Sequence, residues 1–161
     1  MRDDFAEKVK AVQLVLAVCL PRDDYTIPLA RHIVRDALRE LGVAEDCISD
    51  VSIAQSEACT NVVEHLGPGD AYEVKVEISN GRCVISVVDA GHGFDSSRSG
   101  GVSDPRAERG RGIQLMRALV DEVHFVSDSE SGTAVRLEKV LVFRDDSVDR
   151  RGAAPPSPAD C

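Results

Sequence analysis

The chain has 161 residues and a formal net charge of -9 at neutral pH, with 43% hydrophobic and 29% charged residues. This length fits one domain that buries its own core, and the composition excludes fibrous and wholly disordered proteins. The acidic balance argues against nucleic-acid partners, because extended contact with phosphates needs a concentrated basic face.

The five cysteines are odd in number and have no C-x-x-C or zinc-like spacing, which favours a reduced, cytoplasmic compartment over a disulfide scaffold. The apolar run 9–20 is shorter than the roughly 20 residues that cross a bilayer, so we expect a core element and no membrane association. We expect an N-terminal extension over residues 1–11, one domain over 12–143, and a disordered, proline-rich tail over 144–161.

Two helices are predicted after this first segment, which we interpret as a strand. Thr26 and Pro28 predict a helix start, because a hydroxyl can cap free amides and proline suits a first turn. Gly42 is placed to end that helix in a left-handed turn, so the helix covers about residues 27–41. A second amphipathic pattern then continues until the Gly-Pro-Gly sequence at 67–69, which forbids a helix.

Four strands, a lid and a third helix follow. Apolar and charged residues alternate over 72–78, the turn pair Asn80-Gly81 comes next, and a β-branched run ends at Asp89, which predicts a hairpin with a central second strand. Residues 94–109 lack apolar periodicity, and a loop this long is usually functional, so we expect a lid. Helical spacing returns at Ile113, and two further strands complete the expected domain.

Glu57, Asn61 and His65 are spaced four residues apart, so on a helix they form one polar stripe. The amide oxygen of Asn61 is a sufficient protein ligand for a magnesium ion that also binds nucleotide phosphates. Glu57 could then act as the general base that accepts a proton from an incoming hydroxyl or water. The alternative is the ordinary solvated face of an amphipathic helix.

Asp89 is followed by two glycines, Gly91 and Gly93. A carboxylate at a strand end can accept a hydrogen bond from the exocyclic amine of adenine, and glycines let the backbone pass close to a flat ring. The alternative is an Asp-Gly turn without a ligand.

A second pair of glycines, Gly110 and Gly112, precedes an apolar helical stretch. Free amides at a helix start could hold phosphate there, and Arg109 and Arg111 add positive charge. Thr133, at the head of a later strand, could bond the adenine edge or a water beside it. For each of these the alternative is ordinary structure: a turn for the glycines and a backbone partner for the hydroxyl.

The order of the four stretches is more specific than any one of them. SEACTNVVEH, DAGHGFD, GRGIQLM and SGTAV resemble, in that order, the GHKL (histidine-kinase-like) ATPase superfamily and its small anti-sigma-factor serine kinases, over roughly residues 12–141. The resemblance implies an α+β fold of the Bergerat type, a two-layer α/β sandwich with helices on one face of a mixed, mainly antiparallel sheet. It also implies ATP and Mg as cofactors.

Carried over by position, the resemblance implies that Glu57 is the catalytic base, Asn61 the magnesium ligand and Asp89 the adenine ligand. The expected set of further nucleotide contacts is His65, Gly91, Gly93, Arg109, Gly110, Arg111, Gly112, Ile113 and Thr133.

The resemblance also implies partners. Proteins of this family hold a sigma factor inactive and phosphorylate a serine on a small anti-anti-sigma protein of the STAS type, usually as homodimers. The residues themselves leave two other functions open: a nucleotide-gated protein that sequesters a regulator without phosphorylating it, and a stand-alone ATPase. The lack of a second domain to use the hydrolysis argues against the ATPase.

Overall fold

The computed structural model of the protein describes residue 7 and residues 11–65, 71–89, 105–128 and 132–144. Within these ranges the chain forms five strands and three helices. The helices are α1 (Thr26–Glu40), α2 (Glu45–His65) and α3 (Pro105–Leu119). The strands are β1 (Leu14–Pro21), β2 (Ala71–Ser79), β3 (Arg82–Asp89), β4 (Glu122–Asp128) and β5 (Gly132–Val140).

The five strands form one sheet in the order β1-β2-β3-β5-β4, and β3 is central as the sequence predicts. Side chains alternate along each strand, so that Val74, Val76 and Ile85 are buried on the face that the helices cover. The predicted α+β fold with helices on one face of a sheet is confirmed. All four ladders are antiparallel, so the described part of the sheet contains none of the expected mixed pairing.

The β2–β3 hairpin follows from its turn residues. Asn80 and Gly81 both have positive φ, at 51° and 72°, the conformation that a two-residue turn matching the strand twist requires. This turn fixes the register, in which Tyr72 pairs with Asp89 at the far end of the hairpin. Asp89 therefore lies at the carboxyl end of a central strand, as predicted.

The C-terminal end of α1 forms as the sequence predicts, whereas its N-terminal end does not. Gly42 has φ 80°, and the amides of Gly42 and Val43 bond the carbonyls of Arg39 and Leu38, which is the left-handed helix end that the glycine predicts. The predicted N-terminal cap is wrong: Tyr25 occupies the cap position without a side-chain hydrogen bond, and Thr26 is the first helical residue. The hydroxyl of Thr26 is used elsewhere, in a buried contact with Tyr72.

The start of α3 also differs from the prediction. The helix begins at Pro105, so the last five residues of the predicted lid, 105–109, are helical. Proline suits the first helical position, and the alanine and charged residues after it are good helix formers, although they carry no apolar stripe. Residues 94–104 of the predicted lid lie outside the described residues.

At the carboxyl end, the N–H of Arg144 donates to the carbonyl of Gly42 at 2.8 Å, which joins the end of the described chain to the turn after α1. The rest of the predicted tail and most of the N-terminal extension lie outside the described residues. Among the helices that the structure describes, none has the length and apolar character needed to cross a bilayer.

Candidate functional site

Glu57 and Asn61 lie one turn apart on α2, on the side that faces α3. A Cβ placed on Gly112 of α3 would lie 2.9 Å from Oε2 of Glu57 and 4.0 Å from Oδ1 of Asn61. Both side chains therefore direct an oxygen atom at the same point of α3. Asn61 is 8% exposed, whereas Glu57 is half-buried, so the carboxylate keeps access to solvent beside a largely buried amide.

The glycines of α3 do not lie at the start of their helix. Because α3 begins at Pro105, Gly110 and Gly112 are in its interior, where main-chain N–H groups bond carbonyls four residues earlier. The predicted helix start at these glycines is therefore wrong, whereas the phosphate contacts expected of Gly110 and Gly112 stay a prediction. Gly112 brings the main chain of α3 close to the carboxylate of Glu57.

Asp89 is held beside α2 by an arginine that the sequence analysis does not single out. Nη1 of Arg22 lies 3.9 Å from Oδ2 of Asp89, and both side chains are largely buried. Nη2 of the same guanidinium donates to the carbonyls of Val62 and Val63 at 2.7 and 3.1 Å. These carbonyls belong to the last turn of α2, directly after Asn61. Arg22 therefore connects the helix of the first stretch to the strand end of the second.

The fourth stretch reaches the same end of the sheet. The antiparallel β3–β5 ladder ends at the pair Val88–Ala134. Asp89, one residue after Val88, and Thr133, one residue before Ala134, therefore lie at the same end of neighbouring strands. The backbone of Thr133 is described, paired with Ser127 of β4, but its side chain is not. The described residues of the four stretches, which run from Glu57 to Thr133 and so span 76 positions, thus lie at one end of the sheet.

The remaining predicted contacts are placed only in part. Arg111 is exposed on α3, and Ile113 is half-buried against the hydrophobic core, which accounts for its apolar side chain without a ligand. His65 is the last residue of α2, and Arg109 lies within α3, but their side chains are outside the described part. Gly91 and Gly93 fall wholly outside it.

One potential nucleophile in the first stretch is chemically inert. Cys59 lies between Glu57 and Asn61 in sequence but is fully buried, and burial raises the pKa of its thiol to about 12. A neutral buried thiol neither attacks a substrate nor binds a metal, since both roles need the thiolate. The chemistry of this site therefore rests on oxygen atoms.

The oxygen atoms present fit a magnesium ion and a nucleotide. Magnesium takes oxygen ligands, usually one or two from the protein and the rest from water and phosphate, and Asn61 supplies an amide oxygen beside the carboxylate of Glu57. Asp89, 5% exposed at the strand end, supplies an acceptor for a base amine. A Cβ at position 112 would enter the space beside these oxygen atoms, 2.9 Å from Oε2 of Glu57.

Comparison with known proteins is consistent with this arrangement. Residues 20–139 match the histidine kinase-like ATPase domain family. A serine-protein kinase RsbW from Bacillus licheniformis is 37% identical over 115 residues, which cover 63% of this chain and 70% of that protein. A serine-protein kinase RsbW from Halalkalibacterium halodurans is 30% identical over 147 residues, which cover 84% of this chain and 88% of that protein.

A solved structure shares the fold. The crystal structure of the RsbU and RsbW domains of a Mycobacterium tuberculosis protein superposes on 81% of this chain with a TM-score of 0.63 at 24% identity. This chain spans 32% of that longer chain, about a third of its length.

The fold and the converging stretches define an ATP-binding domain of the histidine-kinase-like class. The chain belongs to the histidine kinase-like ATPase family and, within it, to the RsbW group of serine-protein kinases.

Proposed function

We propose that this chain is an ATP-dependent anti-sigma factor and protein-serine kinase. It binds a sigma factor and holds it inactive, and it transfers the terminal phosphate of Mg-ATP to a serine of an anti-anti-sigma protein of the STAS type. The observation that carries the proposal is the placement of Glu57 and Asn61 around one point of α3. Family membership among serine-protein kinases supports the same reaction.

The proposed roles follow from the chemistry of each side chain. Glu57, half-buried with its carboxylate beside α3, accepts the proton of the serine hydroxyl as that hydroxyl attacks phosphorus. Asn61 would hold magnesium through its amide oxygen, and the ion, when bound, neutralises charge on the phosphates. Asp89 accepts a hydrogen bond from the adenine amine, and Arg22 keeps that strand end against α2.

Further features belong to the same proposal. His65, Arg109 and Arg111 would lie near the phosphates, and Gly91 and Gly93 near the base. The protein acts as a homodimer, as the resemblance to its family implies, and in the cytoplasm, as the cysteine pattern favours. We expect no nucleic-acid partner, since the acidic net charge opposes contact with phosphate polymers, and no membrane partner, since the apolar run 9–20 is too short to span a bilayer.

The test replaces Glu57 by Gln, which keeps the shape of the side chain and removes its basicity. We expect Mg-ATP to bind with little change by calorimetry, whereas transfer of labelled phosphate to a STAS-type protein falls by about 100-fold or more, the usual contribution of a general base. Asp89→Asn is the matched control, because it should weaken ATP binding instead. Full transfer activity in the Glu57 variant would contradict the proposed role.

A second experiment distinguishes a kinase from a protein that only sequesters its partner. Wild-type protein is mixed with labelled ATP and a panel of STAS-type proteins, and both complex formation and labelled serine are measured. Labelled serine supports the kinase. Nucleotide-dependent complexes that contain no labelled serine would instead support sequestration without phosphorylation.

A further inference from the structure

Helices α2 and α3 pack against each other, and contacts near both ends of the pair fix their alignment. At one end, a Cβ on Gly112 would lie 2.9 Å from Oε2 of Glu57. At the other end, Nζ of Lys139 donates to the carbonyl of Leu119 at 2.7 Å and to Oδ2 of Asp50 at 3.3 Å. These contacts are seven residues apart on each helix and in reversed order, so α2 and α3 run antiparallel with their residues matched one to one.

Two large apolar side chains are exposed at one level of this helix pair. Ile53 of α2 is 44% exposed, and Leu115 of α3 is 39% exposed. Ile53 lies three residues after Asp50. Leu115 lies four residues before Leu119, so both side chains are about one turn from the end that Lys139 holds.

Ile53 and Leu115 form an apolar pair on an otherwise polar surface. Apart from Ala118, every other exposed side chain that the structure describes on these two helices is polar or charged. Single exposed apolar residues are ordinary and need no explanation. Two of them on neighbouring helices, at one level beside a candidate site, mark a surface that a partner can cover.

The apolar pair lies one helical turn from Glu57. Ile53 precedes Glu57 by four residues, which places both on one side of α2 at a rise of about 6 Å. An extended chain advances about 3.3 Å per residue, and its residues two apart point to the same side. A hydroxyl held at Glu57 therefore brings the side chain two residues away over the apolar pair.

We propose that the apolar pair binds the acceptor segment of the protein that is phosphorylated. The segment lies extended along the groove between α2 and α3, with its serine at Glu57. An apolar side chain, two residues before or after that serine, packs on Ile53 and Leu115 and removes their surface from water. The inference rests on the proposed function, which requires a protein serine to enter this groove and so identifies the occupant.

The test replaces Ile53 and Leu115 singly by Gln, which removes apolar surface and suits a helix. The substrate is the STAS-type protein that the transfer assay labels. We expect its KM to rise on the order of 10-fold in each variant, as loss of a partly buried aliphatic contact does. The kcat should stay within about twofold, because binding is lost equally before and during transfer. The Kd for Mg-ATP and the melting temperature should not change.

Val142→Gln is the matched control. It removes an aliphatic side chain that is 59% exposed but lies after β5, outside the helix pair, and it should leave KM unchanged. On the acceptor, the residues two positions before and after the labelled serine are each replaced by Gln. One of these changes should raise KM on the order of 10-fold with the wild type, but less than about threefold with Ile53→Gln, whose contact is already lost.

Three results would overturn the inference. The first is an unchanged KM in both Ile53→Gln and Leu115→Gln. The second is an acceptor substitution that costs as much with Ile53→Gln as with the wild type, which would mean that the two side chains do not touch. The third is an unchanged KM together with weaker self-association in sedimentation, which would assign the apolar pair to a contact between two copies of this chain.

Binding without transfer separates this inference from the proposed function. Calorimetry with a non-hydrolysable Mg-ATP analogue measures the complex with each STAS-type protein. A complex weakened by Ile53→Gln and Leu115→Gln but not by Val142→Gln supports the docking, and the absence of labelled serine would then contradict the kinase alone. Labelled serine with equal affinities in all variants would contradict the docking alone, and a panel in which nothing binds would contradict both.

Discussion

Thr26 is 1% exposed, and its hydroxyl connects three parts of the fold. It lies 2.7 Å from the carbonyl of Asp23 and 3.0 Å from that of Pro21, and 2.8 Å from the phenol oxygen of Tyr72. Carbonyls only accept, so the threonine hydroxyl donates to them and accepts from Tyr72. Burial raises the pKa of Tyr72, which keeps the phenol neutral and able to donate.

We expect Thr26→Val to lower the free energy of unfolding by about 1–3 kcal/mol, because it leaves the buried phenol of Tyr72 without this acceptor. Tyr72→Phe, which removes the phenol oxygen, should cost about 1 kcal/mol. Urea unfolding of both single variants and the double variant measures the coupling. Additive losses would show that the contact between the two hydroxyls contributes nothing of its own.

Residues whose roles depend on distant partners are those that sequence reasoning misses. Threonine is a common residue at helix caps, but the hydroxyl of Thr26 hydrogen-bonds the phenol of Tyr72, 46 positions away. The sequence around Arg22 contains no motif that indicates its role, because the carbonyls that accept its hydrogen bonds are 40 and 41 positions further along the chain. Glu57 and Asn61 are predictable, because their spacing alone places them on one side of a helix.

At the scale of elements, α2 carries the candidate site and is held at its carboxyl end by Arg22. The last carbonyls of a helix have no partners within it, and a guanidinium supplies donors and a favourable charge. Arg22 has 11% of its side chain exposed, so these bonds are shielded from water. The end of α2 is thereby attached to the segment that follows β1.

We expect Arg22→Met, which keeps the apolar stem, to reduce the free energy of unfolding by about 2 kcal/mol through loss of charged hydrogen bonds. The pair with Asp89, at 3.9 Å, should contribute the smaller share. Arg117→Met is the control, since Arg117 is exposed on α3 and carries the same charge. Equal stabilities of the two variants in urea would show that the hydrogen bonds of Arg22 contribute nothing measurable to stability.

The ends of helices and strands are predictable where a particular residue type, such as a glycine with positive φ, fixes them. They are missed where no such residue or apolar periodicity marks them. The Asn80-Gly81 turn and the Gly42 helix end both depend on residues that tolerate positive φ, and both form as expected. The start of α3 is missed because residues 105–109 form a helix without an apolar stripe, which removes the periodicity that sequence reasoning uses.

At the scale of the whole molecule, the order of elements and the layering follow from apolar periodicity, since each strand and helix buries one face. β3 pairs with β5, although α3 and β4 lie between them in sequence, and apolar periodicity cannot specify such a long-range pairing. The resemblance to a known family implies a mainly antiparallel sheet but does not give this strand order. This sheet order is what brings Thr133 beside Asp89, so the candidate site depends on global topology as well as on the four stretches.

The core of the molecule contains thiols that make its stability depend on alkaline pH. Burial raises the pKa of Cys59 and of Cys83 to about 12, whereas an unfolded thiol has a pKa near 8.5. Between these values the unfolded chain releases protons that the folded protein keeps. The stabilising contribution is therefore complete below about pH 8.5 and is lost as the pH rises towards 12.

We expect the free energy of unfolding, measured in urea with a reductant, to fall between pH 8.5 and 10.5. Each thiol should contribute up to about 1.4 kcal/mol per pH unit once the unfolded thiol is ionised. Cys59→Ala will be less stable at pH 8, because it leaves a small cavity, but its stability should fall less steeply with pH. Surface groups titrate alike in both proteins, so the difference in slope isolates Cys59. Parallel curves for the two proteins would mean that the Cys59 thiol ionises as readily in the folded protein as in the unfolded chain.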